Sequence, residues 1–192
     1  MGRKIVVTSG KGGVGKTTLT ASLGIAIAET GKKVVLVDAD IGLNNLDVVL
    51  AVENKVVYDV LDVISGKCRL KQALIQDVDN PTLYVLPSAK IQDSPLITAC
   101  SFRNVVDALA LNFDFVIIDC PAGIDNGFHR AVSAATEAIV VTTPHISAVR
   151  DADKVLSILS GYCLMSVGLV VNRVRGDMVS KGEMMSAGDI VR

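Results

Sequence analysis

Residues 10–18 read GKGGVGKTT, and this stretch decides the fold class. Its frame, formed by Gly10, Gly15, Lys16 and Thr17, matches the phosphate-loop pattern G-x-x-x-x-G-K-[ST] at every fixed position. The glycines let backbone N–H groups converge on phosphates without side chains in the way. In this pattern the lysine reaches the terminal phosphates and the threonine hydroxyl can ligate Mg²⁺. An apolar run before the stretch and a helix-like segment after it favour a phosphate loop over a glycine turn before a surface helix.

The predicted nucleotide-binding residues lie in this loop and at the end of a later strand. Lys11 is unusual among them, because an ordinary phosphate loop does not need a second lysine. Asn172 follows an apolar run, so its amide can read an adenine edge through paired hydrogen bonds, although a role without adenine stays open. The full set is Gly10, Lys11, Gly12, Gly13, Val14, Gly15, Lys16, Thr17, Thr18, Asn172 and Arg173.

The composition indicates a parallel sheet covered on both faces by helices. Half of the 192 residues are apolar but only 4% are aromatic, and the excess consists of Val, Ile, Leu and Ala. A net charge of −1 provides no global basic field for nucleic acid. The four cysteines are scattered without a C-x-x-C pair, which excludes an obvious zinc site or disulfide framework. Without a signal-peptide layout or a membrane-length apolar run, the sequence predicts a cytoplasmic protein.

Apolar β-branched runs alternate with helix-like segments, which is typical of repeated βαβ units. We predict strands at residues 4–8, 33–37, 82–86, 115–119, 138–142 and 167–172. We predict helices near 17–29, 57–65, 99–111, 126–136 and 147–159, with the start of another at 182–192. The expected fold is a single α/β domain, a doubly wound, mostly parallel sheet of the P-loop NTPase type. Its ligand should bind beyond the carboxyl ends of the strands.

Acidic residues follow two of the predicted strands. Asp38 and Asp40 come after the second strand, and Asp119 ends the fourth. Because the carboxyl ends of parallel strands meet at one edge of a sheet, these side chains should converge on the phosphate loop. We assign Asp119 and Asp38, with the Thr17 hydroxyl, to a Mg²⁺ site, and Asp40 to orienting the attacking water. Turn or capping roles for Asp40 and Asp119 are the competing interpretations.

Three further features are weaker. Pro121 and Gly123 follow Asp119 and are predicted to form a switch that senses the terminal phosphate. His129 and His145 are lone histidines without matching partners. A charged helix face contains Arg150, Asp151 and Asp153, and such a face is more often solvated than a docking site.

The chain resembles the MinD family, the cell-division-site ATPases of bacteria and plastids. That family lies within the deviant Walker-A class, which also contains the ParA segregation ATPases. The resemblance runs over nearly the whole chain. It includes VVTSGKGGVGKTT at 6–18, VDADIGLNNLD at 37–47, VVYDV at 56–60, IIDCPAGI at 117–124, AVRDADKVLSIL at 148–159 and VNRV at 171–174.

The resemblance implies an ATP- and Mg²⁺-dependent ATPase that dimerises with ATP. Lys11 is then the signature lysine, which reaches the phosphates of the partner subunit, and Lys11, Lys16 and Asp40 are the catalytic set. A cation from a second subunit suits phosphoryl transfer, because it neutralises charge that builds up during the reaction. The family also implies that Arg150, Asp151 and Asp153 lie where the activator MinE and the inhibitor MinC dock.

Two departures from the family pattern are expected to matter. Relatives typically continue beyond this length, through a further strand to a C-terminal amphipathic helix that attaches them peripherally to the inner membrane. The sequence ending at Arg192 therefore predicts a chain without that strand and helix, which does not bind anionic lipid. Asn44 also stands where some relatives have a basic residue.

Three other functions were weighed. A ParA-like ATPase acting on DNA partition needs a basic surface late in the chain, which is either absent or cut off in this sequence. A nucleotide-binding scaffold with little turnover would keep the same loop. An iron–sulfur electron carrier shares the loop but requires cluster cysteines that are not found here.

Overall fold

The computed structural model describes residues 1–42, 45–90 and 94–191, so Asn44 and Arg192 lie outside the described residues. A seven-stranded sheet forms the centre, with the strand order β3-β4-β2-β5-β1-β6-β7. Every neighbouring pair is parallel except β3 and β4. The strands are β1 (Arg3–Thr8), β2 (Val34–Asp38), β3 (Ile75–Gln76), β4 (Leu83–Leu86), β5 (Phe115–Asp119), β6 (Glu137–Thr142) and β7 (Ser166–Val171).

Five of the described helices correspond to predicted ones, one short helix lies within the predicted segment 182–192, and three short helices were not predicted. The sheet and its surrounding helices confirm the doubly wound α/β fold. The helices are α1 (Lys16–Glu29), α2 (Asn45–Val49), α3 (Val60–Ile64), α4 (Leu70–Ala73), α5 (Ala99–Ala110), α6 (Asn126–Ala134), α7 (Ile146–Leu159), α8 (Gly176–Ser180) and α9 (Ala187–Ile190), with a 3₁₀ turn at Glu53–Lys55.

Alternate residues of each central strand point to opposite faces and build two cores. Val35 and Val37 of β2 face the core that contains the apolar sides of α5, α6 and α7. Val34 and Leu36 face the second core, with α1. Because helices cover both faces, the central strands are apolar along most of their length, as the composition indicated.

Two helix boundaries differ from the sequence prediction. The helix predicted at 57–65 begins only at Val60, because the Asp59 carboxylate caps it by accepting hydrogen bonds from the Leu61 and Asp62 N–H groups. The segment predicted to begin a helix at 182–192 contains only α9, which Ser186 caps. None of the helices in the described residues is long and apolar enough to cross a membrane.

The carboxyl ends of β1, β2 and β5 define one edge of the sheet. Asp38 of β2 and Asp119 of β5 are register partners on neighbouring strands. Val7, one residue before the end of β1, pairs with Asp119 from the other side. The fold therefore places the loop after β1 directly beside the two carboxylates.

Candidate nucleotide site

The segment from Ser9 to Gly15 connects β1 to α1 and has the conformation of an open cradle. Gly13 and Gly15 have φ values of 76° and 100°, in the left-handed region that glycine favours. Gly15 is the N-cap of α1 and offers no capping side chain, so the first N–H groups of a 14-residue helix are available to an anion. Lys16, in the first turn, is only 9% exposed.

Neighbouring elements hold this loop in place. The Ser9 hydroxyl donates to the Lys11 carbonyl at 2.7 Å. The Asn172 amide, directly after β7, donates to the Val14 carbonyl at 2.9 Å. A Cβ on Gly15 would lie 2.5 Å from Asn172 Nδ2, so glycine is required there for a second reason. The loop is thus tied to the far strand of the sheet.

Asn172 has a structural contact that the sequence did not predict. Besides its bond to Val14, its Oδ1 accepts a hydrogen bond from the Arg173 N–H at 2.8 Å. Arg173 itself has a positive φ of 61° and is exposed. Adenine recognition by Asn172 stays a prediction beside this loop-fastening contact.

Helix α7 contacts the same loop from outside. A Cβ on Gly10 would lie 2.4 Å from the Asp151 carbonyl oxygen, so only glycine allows the loop and the helix to touch. Asp151 is half-buried and pairs with Lys154 at 3.6 Å, whereas Arg150 and Asp153 are exposed. The predicted docking residues therefore lie next to the phosphate loop, and one of them contacts it.

Asp38 organises the turn after β2. Its Oδ1 accepts a hydrogen bond from the Asp40 N–H at 2.9 Å, and its Oδ2 accepts one from the Leu46 N–H at 3.2 Å. The turn-forming role weighed for Asp40 thus belongs to Asp38. Burial raises the pKa of Asp38 to about 7, against the effect of these two hydrogen bonds.

Asp119 lies beside the first turns of α1. The Thr20 hydroxyl donates to Asp119 Oδ1 at 3.4 Å, and the Thr17 hydroxyl lies on the same side. Burial raises the pKa of Asp119 to about 6, although Thr17 and the Lys16 ammonium oppose the shift. Burial also raises the pKa of Asp40, and Lys16 again acts against it. Lys16, Asp40 and Asp119 therefore form one electrostatic cluster.

This cluster fits a hydrated divalent cation next to phosphates. The carboxylates of Asp38 and Asp119 are buried and have raised pKa values, so they are costly to ionise. A bound cation would reverse that cost. Within residues 1–42, 45–90 and 94–191, no three His, Cys, Asp or Glu side chains are arranged to hold a metal alone. Mg²⁺ commonly takes one or two protein ligands and completes its shell with water and phosphate oxygens.

Lys11 lies apart from the cluster. It is exposed, and its Nζ donates to the Ser147 hydroxyl at the start of α7 at 3.3 Å. It does not contribute to the pKa shifts of Asp40 or Asp119, whereas Lys16 does. The sequence grouped the two lysines together, but the structure gives them different surroundings.

The predicted switch segment, residues 121–123 after β5, is attached to the phosphate loop. Gly123 has a φ of 92°, and its N–H donates to the Ser9 carbonyl at 3.2 Å. Pro121 packs on α6, where a Cβ on Gly127 would lie 2.8 Å from Pro121 Cγ. A displacement of the loop at Ser9 would therefore act directly on this segment.

Sequence reasoning missed three residues of the site. Ser9 directly precedes the motif, Thr20 lies one helical turn after Lys16, and Ser147 begins the helix whose charged face was noted. The helical period was a usable signal for Thr20, because residues four apart share a helix face. Ser147 is brought to Lys11 only by the tertiary fold.

Comparison with known proteins agrees with this geometry. A family model described as an AAA domain matches residues 2–161. The septum site-determining protein MinD of Synechocystis sp. is 51% identical over 191 residues, which cover 100% of this chain and 72% of that protein.

Two solved structures share the fold over almost the whole chain. The MinC:MinD cell division protein complex of Aquifex aeolicus matches with a TM-score of 0.89 and 44% identity, covering 98% of this chain and 76% of that one. The septum site-determining protein MinD complexed with Mg-ADP, from Pyrococcus horikoshii OT3, matches with a TM-score of 0.86 and 35% identity, covering 99% and 76%.

Proposed function

This chain belongs to the MinD family of cell-division ATPases, and we propose that it hydrolyses ATP with Mg²⁺ and dimerises when ATP is bound. The observation that carries the proposal is the convergence of Lys16, Asp40 and Asp119 on the glycine cradle. Its expected role is to position division proteins at the septum site, as the names of its relatives indicate.

The chain's own groups divide the work of hydrolysis. N–H groups of the loop and of the first turn of α1 bind the phosphates, and Lys16 neutralises the terminal ones. Asp40 orients the attacking water, whose oxygen bonds to the γ-phosphorus while the bond to the ADP oxygen breaks. ADP, inorganic phosphate and one proton are the products.

Thr17, Asp119 and Asp38 are the groups that would hold Mg²⁺. When bound, the ion supplies charge neutralisation across the phosphate oxygens. Thr17 and Asp119 lie on the same side of the site, and Asp38 is the register partner of Asp119. The Mg-ADP bound to the relative from Pyrococcus supports this choice of ligand.

Lys11 acts on the nucleotide bound to the partner subunit of the dimer. Its ammonium is exposed and donates a long hydrogen bond, 3.3 Å, to the surface residue Ser147, and it can leave that bond when a partner molecule arrives. A cation supplied in this way acts as an arginine finger does, and it makes turnover depend on dimerisation.

Helix α7 is the proposed docking site for MinC-like and MinE-like regulators. Arg150 and Asp153 are exposed on it, and Asp151 contacts the phosphate loop. The relative from Aquifex forms a complex with MinC, which supports a partner of this kind.

The direct test is ATP turnover by the purified chain with and without a MinE-like activator. We expect slow basal turnover that requires Mg²⁺ and increases with the activator. Nucleotide binding without turnover under either condition would instead identify a scaffold. Turnover stimulated by DNA and not by the activator would favour the ParA-like alternative.

A further inference from the structure

A polar cavity of about 960 Å³ lies between the switch segment and α6. Asp40, Pro121, Asp125 and Arg130 are among the residues that line it. Since Asp40 also belongs to the cluster around Lys16, the cavity adjoins the nucleotide site. Apart from Asp40, none of these four residues has a role in the proposed hydrolysis.

Arg130 is the unusual side chain of this cavity. Its guanidinium is half-buried beside the switch segment, where its Nη2 lies 3.7 Å from the position of a Cβ on Gly127. Its Nη1 reaches the Ile97 carbonyl only at 3.5 Å. Its Nε is buried and has no hydrogen-bond partner among the residues that the structure describes. Nor does any carboxylate of those residues lie within ion-pair distance of it.

A half-buried guanidinium with a buried, unpartnered Nε and no carboxylate beside it favours an oxyanion. An N–H group left without an acceptor costs free energy, and the planar fork of arginine matches the oxygens of a phosphate. Asp125 precedes α6, but its side chain makes no capping hydrogen bond, so the N–H groups of the first turn add to the positive potential. The Asp40 and Asp125 carboxylates repel an anion, so Arg130 is the group in this lining that attracts one.

We propose that Arg130 binds the inorganic phosphate released by ATP hydrolysis, as that phosphate leaves past Asp40 and Pro121. The inference rests on the proposed ATPase function. It adds a product site about which the phosphate-loop motif says nothing. Arg130 acts here as a product-binding residue and takes no part in breaking the P–O bond.

The test measures phosphate binding apart from hydrolysis. Inorganic phosphate is titrated calorimetrically into the Mg-ADP-loaded chain, and its inhibition of ATP turnover is measured in parallel. Arg130→Met should weaken both by about tenfold or more, because a charge-assisted hydrogen-bonding group is lost. Arg103→Met is the matched control. Arg103 also contacts α6, donating to the Ser133 carbonyl at 2.8 Å, but it does not line the cavity.

The outcomes separate this inference from the ATPase proposal. Unchanged phosphate binding in a folded Arg130→Met variant would overturn the inference, even if the chain turns over normally. Phosphate binding that depends on Arg130 in a chain without turnover would support the site and reject the ATPase function. Arg130→Lys keeps the charge and should restore part of the phosphate affinity. If Arg130→Met fails to fold, Arg130→Lys is the deciding variant. Phosphate binding by Arg130→Lys equal to that of the wild type would then contradict a specific role of the guanidinium.

Discussion

Lys11 and Lys16 lie five positions apart in one loop but have different surroundings. Lys16 is nearly buried and acts electrostatically on Asp40 and Asp119. Lys11 is exposed and contacts Ser147. At the scale of single residues, the motif predicts that both lysines belong to a phosphate site. The motif could not predict that the two lysines have different surroundings, because the contact of Lys11 is with α7, which is distant in sequence.

Replacing each of the two lysines should therefore impair a different step. Lys16→Ala should abolish nucleotide binding, because the phosphates lose the cation fixed beside them. Lys11→Ala should keep ADP binding yet lose ATP-dependent dimerisation and most turnover. Fluorescent-nucleotide titration and light scattering with ATP measure the two effects. A Lys11→Ala protein that still dimerises and turns over normally would disprove the role in a second subunit.

Replacing Asp40 and replacing Asp119 should also have different kinetic effects. A group that orients the attacking water contributes mainly in the transition state, so Asp40→Ala should lower kcat by about a hundredfold with little effect on ATP affinity. Asp119→Ala should instead raise the Mg²⁺ concentration needed for turnover. Steady-state rates across a Mg²⁺ titration distinguish the two variants. Equal losses of ATP affinity in both would contradict the assignment.

At the scale of elements, Glu137 connects the strand ends opposite the nucleotide site. It is buried at the start of β6 and accepts two hydrogen bonds from Arg3 of β1, at 2.8 and 2.6 Å. It also accepts one from the Ser166 hydroxyl of β7 at 3.1 Å. The bonds from Arg3 hold the pKa of Glu137 below its usual value. One carboxylate thus ties three neighbouring strands together.

Glu137→Gln should lower the free energy of unfolding at pH 7 by about 1–3 kcal/mol. A carboxylate with a lowered pKa stabilises the fold above its ordinary pKa and loses that effect as pH falls. The difference between wild type and variant should therefore shrink below about pH 4.5. Urea denaturation between pH 3.5 and pH 7 measures it, with these pH values chosen to be about one unit below and well above the usual glutamate pKa.

The matched control for Glu137 is Asp177→Asn. Asp177 also accepts two hydrogen bonds from one arginine, Arg175, but both side chains are more than half exposed. An exposed pair contributes little, so this variant should change stability by less than about 1 kcal/mol. A larger loss there than in Glu137→Gln would refute the argument from burial.

The long strands and helices followed from the sequence because their apolar patterns are local. The six predicted strands all occur, and Phe115–Asp119 has the predicted bounds. β3 was missed because two residues, Ile75 and Gln76, carry no pattern, and only their pairing with β4 makes them a strand. The late start of α3 was readable in principle, since Asp59 is a good N-cap residue. Among site residues, the anchoring bond of Asn172 to Val14 could not be predicted, because it joins residues 158 positions apart.

At the scale of the whole molecule, the sheet concentrates charge at one end. Asp38 and Asp119 are buried at its carboxyl edge with raised pKa values, so the fold without ligand carries unfavourable electrostatic energy there. A bound cation and nucleotide would relieve it. The stability of the molecule and the occupancy of its site should therefore be coupled.

Mg-ADP should accordingly raise the melting temperature by several degrees. Ligand at a hundred times its Kd stabilises by about 2.7 kcal/mol, and each kcal/mol is worth about 2–4 °C for a chain of this size. Adding EDTA should remove most of the increase. Differential scanning fluorimetry measures both, with Lys16→Ala as the variant that should not respond. An equal shift with ADP in EDTA would show that the carboxylates do not hold a metal.

Gly10 and Asp151 touch backbone to backbone, with no space for even one methyl group between them. A regulator bound to α7 would thus bind next to the phosphate loop itself. A shift of α7 caused by that regulator would act on the loop directly, through the Gly10 contact and the Lys11–Ser147 hydrogen bond. Any side chain larger than hydrogen at position 10 would push α7 and the loop apart and so disturb regulator binding and nucleotide binding together.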